Sequence, residues 1–392
     1  METRSGVSRN YIVIAVIVVV LVAIGGYAVA TMYASPSKST STTSGSSSST
    51  STVGTSTLSS TSVVPLTLPT NPPTNNSASV VNIGYYANLN HAPALIGLSN
   101  GDFQKFVGPS TKIQTTLFTS GGPEMTALVA GKINIAYVGP DPAVNAFLAS
   151  NGTALQIISG VANGGAVFVV RNASNINSVS DFKGKVFAAP GVGNTQDIAL
   201  RHYLELNGYV PGVNVTVQDT PNANIVTLMT EGKIDGAWVP EPWGEILVAT
   251  AGGHIFLDES SLWPNGFSTT ELVVSTSFMK AHPDVVREVL EANLYEIEFI
   301  QNHPQQAAVI LNNVLGNLTG GPIGLSIVQS ALTRLSFTNS PLEASVLQQA
   351  QNAYKLGDLG SVAPTASSLS GIYNLSMLNS LLSEYGLPQV TG

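Results

Sequence analysis

Cysteine is absent from the 392 residues of this chain. Its absence excludes disulfide bonds, thiolate catalysis, cysteine-ligated zinc and a lipid anchor attached through cysteine. The five histidines show none of the spacings typical of metal sites, so we expect neither a metal ion nor another cofactor. The sequence also lacks the G-x-S-x-G motif of serine hydrolases and a Walker loop for nucleotide phosphates. We therefore expect no enzyme activity.

Charged residues are scarce, at 10% of the chain, and the net charge is −8. The 15 basic residues are scattered along the sequence and form no cluster. Nucleic-acid-binding surfaces need concentrated positive charge, so we expect no nucleic acid partner. The length of the chain and its 44% of hydrophobic residues are sufficient for two lobes with buried cores.

A long uncharged segment, YIVIAVIVVVLVAIGGYAVATM, occupies residues 11–32. As a helix, a segment of this length would span roughly 33 Å, which is enough to cross the apolar core of a bilayer. Arg4 and Arg9 precede it, which favours retention of this end inside the cell and export of the remainder. A cleaved signal peptide is the alternative, but its apolar core is usually about 7–15 residues long. We favour an uncleaved membrane anchor.

Serine and threonine make up most of residues 34–64. Such a run has no apolar periodicity and cannot bury a core, so we predict a flexible stalk. The chain then divides into five predicted parts, which are a membrane anchor or signal segment (1–33), a Ser/Thr/Pro-rich stalk (34–79), the first part of lobe 1 (80–180), lobe 2 (181–270), and a return to lobe 1 with C-terminal helices (271–392).

From Val80 onward, short apolar runs alternate with amphipathic helical patterns. Runs such as VVNIGYYA (80–87) and INIAYVG (133–139) have the length and β-branched content of buried strands. The alternation restarts at KVFAAP (185–190), and the later GKIDGAWVPEPW is similar to the earlier GKINIAYVGPDP. This pattern predicts an α/β fold of two similar lobes, each with a mainly parallel sheet, and a ligand cleft between them. The run TTELVVSTSF (269–278) is predicted to return the chain to the first lobe.

Three predicted strand-to-helix junctions have similar sequences. They are Gly121-Gly122-Pro123, Gly139-Pro140-Asp141-Pro142 and Pro240-Glu241-Pro242. Proline is favoured at the first position of a helix, and a helix start presents free N–H groups and the positive end of its dipole, which attract anions. Ordinary helix capping explains any one of them equally well, whereas several that meet at one cleft predict a binding site.

Other candidate ligand-binding residues flank these junctions. A fourth junction, GVGNTQD (191–197), is similar to a dinucleotide-binding loop, but Gln196 replaces the third glycine, so we reject a nicotinamide site. Its Asn194 and Thr195 can still hold a small oxyanion. Tyr86, at the end of the first strand, is a candidate for a wall of the cleft. His91, just after this strand, is a candidate hydrogen-bond donor to a ligand. Trp238 belongs either to the cleft wall or to the core.

Five segments together are specific for a known family. They are NLNHAPALIG, GGPEMTALVAGKINIAYVGPDPAVNAF, GNTQDIALRHYLELNG, GKIDGAWVPEPWGEIL and LWPNGFSTTELVVSTSF. From about residue 80 to its end, the chain resembles the solute-binding proteins of ABC importers for nitrate, taurine and aliphatic sulfonates. The resemblance implies a two-lobed periplasmic-binding-protein fold of type II that closes on a small molecule. It also implies an ABC permease and its ATPase as partners.

The resemblance further implies which residues hold the ligand. They are the loop from Tyr86 to His91, the junctions at Gly121, Gly122, Gly139, Asp141, Asn194 and Thr195, and the opposing segment from Trp238 to Glu241. None is Lys or Arg, so a zwitterion such as taurine or an amine-bearing heterocycle fits better than nitrate if Asp141 or Glu241 reaches the ligand. A binder of a thiamine-precursor-like heterocycle, a surface sensor and an enzyme on the same fold are the alternatives.

The chain departs from typical members of this family at its N-terminus. A typical bacterial member is soluble or lipid-anchored in the periplasm, whereas this chain combines a long apolar segment with a Ser/Thr stalk and lacks the lipidated cysteine. We therefore expect an extracytoplasmic protein at the cell surface, anchored in an archaeal manner, or secreted if the N-terminal segment is cleaved.

Overall fold

The structure is a computed structural model that describes residues 64–361 and 363–391. The predicted anchor (1–33) and most of the predicted stalk lie outside this part of the chain. Within the described residues, no helix combines the length and the apolar character needed to cross a membrane.

Strands of the described residues form two separate sheets. In chain order they are β1 (Val80–Tyr86), β2 (Lys112–Phe118), β3 (Ile135–Val138), β4 (Leu155–Gly164), β5 (Ala166–Arg171), β6 (Val186–Ala189), β7 (Thr216–Asp219), β8 (Gly236–Pro240), β9 (Gly253–Asp258), β10 (Ser268–Ser275) and β11 (Leu335–Phe337). The first sheet has the order β11-β4-β10-β3-β1-β2, and the second has the order β7-β6-β8-β5-β9. Each sheet with its helices forms one lobe, so the predicted two-lobed α/β fold is confirmed.

Helices cover both faces of each sheet. They are α1 (Ala92–Asn100), α2 (Asp102–Val107), α3 (Gly121–Val129), α4 (Pro140–Ala149), α5 (Thr195–Leu206), α6 (Asn222–Thr230), α7 (Trp243–Thr250), α8 (Thr276–Ala281), α9 (Pro283–Asn302), α10 (Pro304–Thr319), α11 (Leu325–Leu332), α12 (Glu343–Lys355), α13 (Ala366–Leu369) and α14 (Ser376–Glu384). In the first lobe, α1, α2, α9 and α10 enclose one hydrophobic core, and α3, α4 and α12 enclose another on the opposite face. The second lobe likewise has a core on each face of its sheet.

The sheets are less uniformly parallel than predicted. In the first sheet β1 runs parallel to β2 and β3, but β10 is antiparallel to both β3 and β4. In the second sheet β6 runs parallel to β7 and β8, whereas β5 is antiparallel to β8 and β9. β5 and β10 each follow a crossing between lobes, so the chain enters the sheet from the opposite end there. β11 is also antiparallel to its neighbour β4.

The first crossing between lobes occurs at Gly164 and Gly165. Both glycines have positive φ (76° and 71°), and a Cβ on Gly164 would lie 2.6 Å from the backbone oxygen of Arg334, so only glycine fits there. The amide of Gly164 donates to the carbonyl of Phe267 (2.8 Å), where the chain returns. Residues 166–172 fall within the predicted first part of lobe 1 (80–180), but β5 pairs in the second sheet. A fully buried apolar strand fits either sheet, so its sequence did not mark the crossing.

Two other segments differ from their predicted structure. Residues 271–392 are predicted to return to lobe 1 and to continue as C-terminal helices, but after α11 ends at Leu332 the chain forms β11, an edge strand of the first sheet. Residues 64–79 lie along the first lobe, where Leu66 and Ala78 are buried. The side-chain amide of Asn76 donates to the carbonyl of Val107 (2.7 Å), and is also within hydrogen-bond distance of Thr111 and Glu288.

Candidate functional site

A polar cavity of about 20 Å³, which we call the inner chamber, lies between the two lobes. It is enclosed by the loop after β1, the N-termini of α4 and α5, the end of β8 and the start of β10. Its lining residues are Tyr86, Asn88, Asn90, His91, Gly139, Pro142, Asn194, Thr195, Gln196, Pro240, Thr269 and Thr270. Both sheets direct the carboxyl ends of parallel strands toward it, which is where α/β folds place ligands.

A larger space of about 250 Å³, which we call the outer mouth, adjoins the inner chamber. The two cavities share Tyr86, Asn88, Asn194, Gln196 and Pro240. Leu117, Phe118, Pro221, Trp243 and Leu318 make the outer mouth more apolar. The site therefore offers hydrogen bonds at its centre and apolar surface toward the outside.

The lobes meet closely at the predicted helix junctions. The first amide of α3, on Gly121, donates to Asn194 Oδ1 of the second lobe (2.9 Å). A Cβ on Gly139 would lie 2.6 Å from Thr195 Oγ1, so the glycine allows the starts of α4 and α5 to approach each other. The neighbouring Gly122 lies on α3 and lines a surface groove outside the chamber.

His91 is a neutral hydrogen-bond donor in this chamber. The backbone N–H of Tyr86 donates to His91 Nδ1 (3.3 Å), which assigns the ring proton to Nε2. Burial lowers the pKa of His91 to about 3, so the imidazole stays uncharged at neutral pH. The Tyr86 ring packs against it, with 4.4 Å between the ring centroids.

Several polar groups at the chamber have no partner within the described residues. They are the hydroxyls of Thr195 and Thr270 and the side-chain oxygen of Asn90, all of them buried. Buried polar groups are nearly always hydrogen-bonded, so these three are suited to bind a small polar solute or water.

Asp141 lies in the first turn of α4, next to Thr195, and is 3% exposed. Neither carboxyl oxygen has a hydrogen-bond partner among the described residues. Its pKa is raised to about 7, mainly by burial and also by the carboxylates of Asp358 and Asp197, while the Thr195 hydroxyl opposes the shift. Asp141 does not line the chamber itself. No group of acidic residues and histidines in the described part of the chain has the geometry of a metal site.

Glu241 and Trp238, like Gly122, lie away from the chamber. Glu241 is fully buried, with Oε1 3.3 Å from Arg334 Nη1 and Oε2 accepting from the amide of Glu245 (3.1 Å). It therefore caps α7 and forms an ion pair between the lobes. Arg334 lowers the pKa of Glu241, but burial outweighs this effect and raises it to about 7.

Trp238 is a core residue of the second lobe. It is fully buried, stacks on Phe168 at 5.4 Å, and donates its indole N–H to Glu259 Oε2 (2.5 Å). Trp243, the other tryptophan of this stretch, lines the outer mouth instead.

Three residues that line the chamber, Gln196, Thr269 and Thr270, are not among the predicted ligand-binding residues, and within the predicted loop from Tyr86 to His91 the chamber also uses Asn88 and Asn90. Asn88 and Asn90 stand in the NLNH segment, and the two threonines begin the apolar run of β10. Polar residues at the ends of otherwise apolar strands were the available signal, since they have no packing role there.

Two α/β lobes joined at a glycine pair, with a polar chamber between their strand ends, define a bilobal ligand-binding fold. The chain belongs to the NMT1-like family, which matches residues 74–312, more than half of its length. No curated protein matches it in sequence.

Solved structures share this fold at low sequence identity. The periplasmic nitrate-binding protein NrtA from Synechocystis PCC 6803 has a TM-score of 0.70 and 15% identity, with 80% of this chain and 91% of that chain covered. The alkanesulfonate-binding protein SsuA from Xanthomonas axonopodis pv. citri, bound to MOPS, has a TM-score of 0.62 and 20% identity, with 74% of this chain and 97% of that chain covered. The periplasmic aliphatic sulphonate binding protein SsuA from Escherichia coli has a TM-score of 0.58 and 19% identity, with 72% of this chain and 94% of that chain covered. The predicted resemblance to ABC-importer solute-binding proteins is confirmed.

Proposed function

We propose that this protein is the extracytoplasmic solute-binding component of an ABC importer. It captures a small sulfonate-, taurine- or nitrate-like solute between its lobes, leaves it chemically unchanged and delivers it to the permease. The observation that carries this proposal is the inner chamber together with the adjoining outer mouth of about 250 Å³, because the two draw their lining groups from both lobes. The fold shared with nitrate- and sulfonate-binding proteins supports the same proposal.

The chemistry of the chamber suits an oxyanion held without a cationic side chain. The N-termini of α4 and α5 meet there, and their dipoles favour negative charge. His91 Nε2 and the hydroxyls of Thr195 and Thr270 are neutral donors. The apolar outer mouth can accommodate an organic substituent of the solute.

A second candidate function, binding of an amine-bearing solute such as a thiamine-precursor-like heterocycle, is favoured by Asp141. Its carboxyl group is buried beside Thr195 without a hydrogen-bond partner in the described part of the chain. Asp141 does not line the chamber but lies next to Thr195, which does, so a ligand ammonium or ring amine that reaches past Thr195 would supply the missing donor. Under this hypothesis, Asp141→Asn weakens amine-bearing ligands but leaves simple alkanesulfonates unaffected.

Calorimetric titration of the purified protein tests both functions. The ligands are taurine, ethanesulfonate, nitrate and an aminopyrimidine thiamine precursor. Heat from taurine, ethanesulfonate or nitrate supports the first proposal, and heat from the aminopyrimidine alone supports the second. If none of the four produces heat, both are wrong. Recovery of the bound ligand unchanged, by mass spectrometry, checks that no reaction takes place.

Replacement of the chamber hydroxyls tests where the solute binds. Thr270→Val removes a hydroxyl that has no partner in the described residues, so the unliganded protein should lose no stability. Ligand affinity should fall roughly tenfold if the hydroxyl donates to the solute. Thr250→Val, which removes an exposed hydroxyl at the end of α7, is the matched control and should leave affinity unchanged.

A further inference from the structure

Glu124 is a buried carboxyl group directly beneath the candidate site. It lies in the first turn of α3, is fully buried, and lines neither the inner chamber nor the outer mouth. Its Oε2 accepts a hydrogen bond of 2.6 Å from the Tyr86 hydroxyl. Its Oε1 has no partner among the residues that the structure describes.

Helix capping does not explain this carboxyl group. The N-cap of α3 is Ser120, and Glu124 bonds to a tyrosine on β1 rather than to the free amides of its own helix. The fold also makes room for the group, because a Cβ on Gly84 would lie 2.5 Å from Glu124 Oε1. Burial of a carboxyl group is unfavourable unless it is hydrogen-bonded, so its bond to Tyr86 is the contact that accounts for its position.

Tyr86 connects Glu124 to the chamber. Tyr86 lines both the inner chamber and the outer mouth, and so lies at the boundary between them. One end of Tyr86 is held by Glu124, while its backbone N–H donates to His91 Nδ1 and its ring packs on the imidazole. The orientation of Tyr86 therefore affects two things, which are the boundary between the inner chamber and the outer mouth and the direction in which His91 Nε2 donates.

We propose that Glu124 is a positioning residue that fixes the Tyr86 ring between the inner chamber and the outer mouth. Ligand affinity then depends on Glu124, although Glu124 does not touch the ligand. This inference rests on the proposed function. Burial raises the pKa of Glu124 well above its ordinary range, and the hydrogen bond from Tyr86 opposes this shift. The carbonyl oxygen of a glutamine can accept the same hydrogen bond from the Tyr86 hydroxyl, so glutamine should replace Glu124.

Titration of variants of the full chain in detergent, with taurine, ethanesulfonate and nitrate as probes, tests the effect on binding. Glu124→Ala should weaken the binding of any probe that wild type binds by roughly tenfold or more, and Glu124→Gln should stay within about twofold of wild type. Tyr86→Phe should weaken binding as much as Glu124→Ala. The double variant should bind no more weakly than either single variant, because the two substitutions remove the same hydrogen bond. Equal binding by Glu124→Ala and wild type would refute the proposal, as would a Glu124→Gln variant as weak as Glu124→Ala.

Glu291 provides a matched control in the same lobe. It accepts a hydrogen bond from the Tyr385 hydroxyl, far along the chain from any residue that lines the site. Glu291→Ala breaks an equivalent tyrosine–glutamate pair, so it should leave probe affinity unchanged. A loss equal to that of Glu124→Ala would indicate a general effect on stability and contradict the proposal.

A ligand-free measurement separates this inference from the proposed function. In protein labelled with ¹³C-tyrosine, the Tyr86 resonance is assigned by its absence in Tyr86→Phe. Its ring should flip slowly in wild type and in Glu124→Gln, and rapidly in Glu124→Ala. If no probe binds, the proposed function fails while this result still decides the positioning role. An unchanged flip rate in Glu124→Ala would overturn it.

Discussion

At the scale of single residues, the two tryptophans of the stretch GAWVPEPW have different environments. Trp238 is enclosed by the aromatic core of the second lobe, whereas Trp243 reaches the outer mouth. Trp238→Ala should therefore lower the free energy of unfolding by roughly 3–5 kcal/mol, as expected when a large buried side chain is removed. Trp243→Ala should weaken ligand binding more than it lowers stability. Urea unfolding and calorimetric titration of both variants measure the two effects, and the reverse pattern would reassign the two side chains.

Asp141 should make stability depend on pH. Its pKa is about 7 in the folded protein and 3.8 in the reference state, so the folded protein holds this proton more tightly. The resulting stabilisation is complete below about pH 4 and is lost as the pH rises through 7, which amounts to roughly 4 kcal/mol. The carboxyl groups of Asp358, Asp197 and Glu259 disfavour a negative charge on Asp141, whereas the Thr195 hydroxyl favours it.

Asp141→Asn should consequently match wild type near pH 4 and exceed it in stability at pH 8. Urea unfolding at a series of pH values measures the difference. Glu241 also has a raised pKa, so some decrease with pH should remain in the variant. Identical pH profiles for wild type and Asp141→Asn would show that Asp141 is not held protonated.

The sequence could identify part of the chamber but could not orient every side chain. Tyr86, His91, Gly139, Asn194 and Thr195 were proposed from local junction patterns and do line the chamber. Their roles in binding stay predictions until ligands are tested. The position of Glu241 depends on Arg334, 93 residues further along the chain, and no local pattern contains that information. The core position of Trp238 could not be predicted for a different reason. Alternate residues of a strand point to opposite faces, and the sequence does not say which face borders the cleft.

At the scale of elements, Arg334 joins the α11–β11 connection of the first lobe to three carboxylates of the second. Its guanidinium lies 2.5 Å from Glu245, 3.3 Å from Glu241 and 3.6 Å from Asp258. Ser330 also donates to Glu245 (2.9 Å). These contacts lie beside the Gly164 crossing, so they stabilise the observed arrangement of α7 against α11.

Arg334→Gln should lower the free energy of unfolding by roughly 2 kcal/mol or more, because it leaves buried Glu241 and its neighbours without a counter-charge. Arg287→Gln is the control, since the Arg287–Glu384 pair is exposed and should contribute less than about 1 kcal/mol. Urea unfolding compares the two variants. Equal losses would mean that the ion pairs of Arg334 are no more important than a surface pair.

Most strands and helices could be predicted from hydrophobic periodicity, because alternating β and α segments have distinct periods. The exceptions depend on tertiary contacts. β11 has three residues and exists because it pairs with β4, which a local pattern cannot show. Likewise, the apolar run of β5 is equally compatible with either sheet, so its membership of the second sheet follows from pairing alone.

At the scale of the whole molecule, the folded body should begin before the first strand. Leu66 and Ala78 are buried, and Asn76 is hydrogen-bonded to groups on α2, the following loop and α9. A fragment of residues 80–392 should therefore be less stable than one of residues 64–392 by roughly 2–5 kcal/mol. Thermal and urea unfolding of the two fragments measure the difference. Equal stabilities would mean that residues 64–79 do not contribute to folding.

The insertion of the second lobe between β4 and β10 has a consequence for the ancestry and engineering of the fold. These two strands are antiparallel neighbours, and the chain leaves and re-enters the first sheet at Gly164 and Phe267, which are hydrogen-bonded to each other. A short hairpin turn could join such strand ends directly. We therefore expect that residues 165–267 can be exchanged as one segment for the equivalent lobe of a related protein, which would change one wall of the cavity between the lobes without altering the strand order of the first sheet.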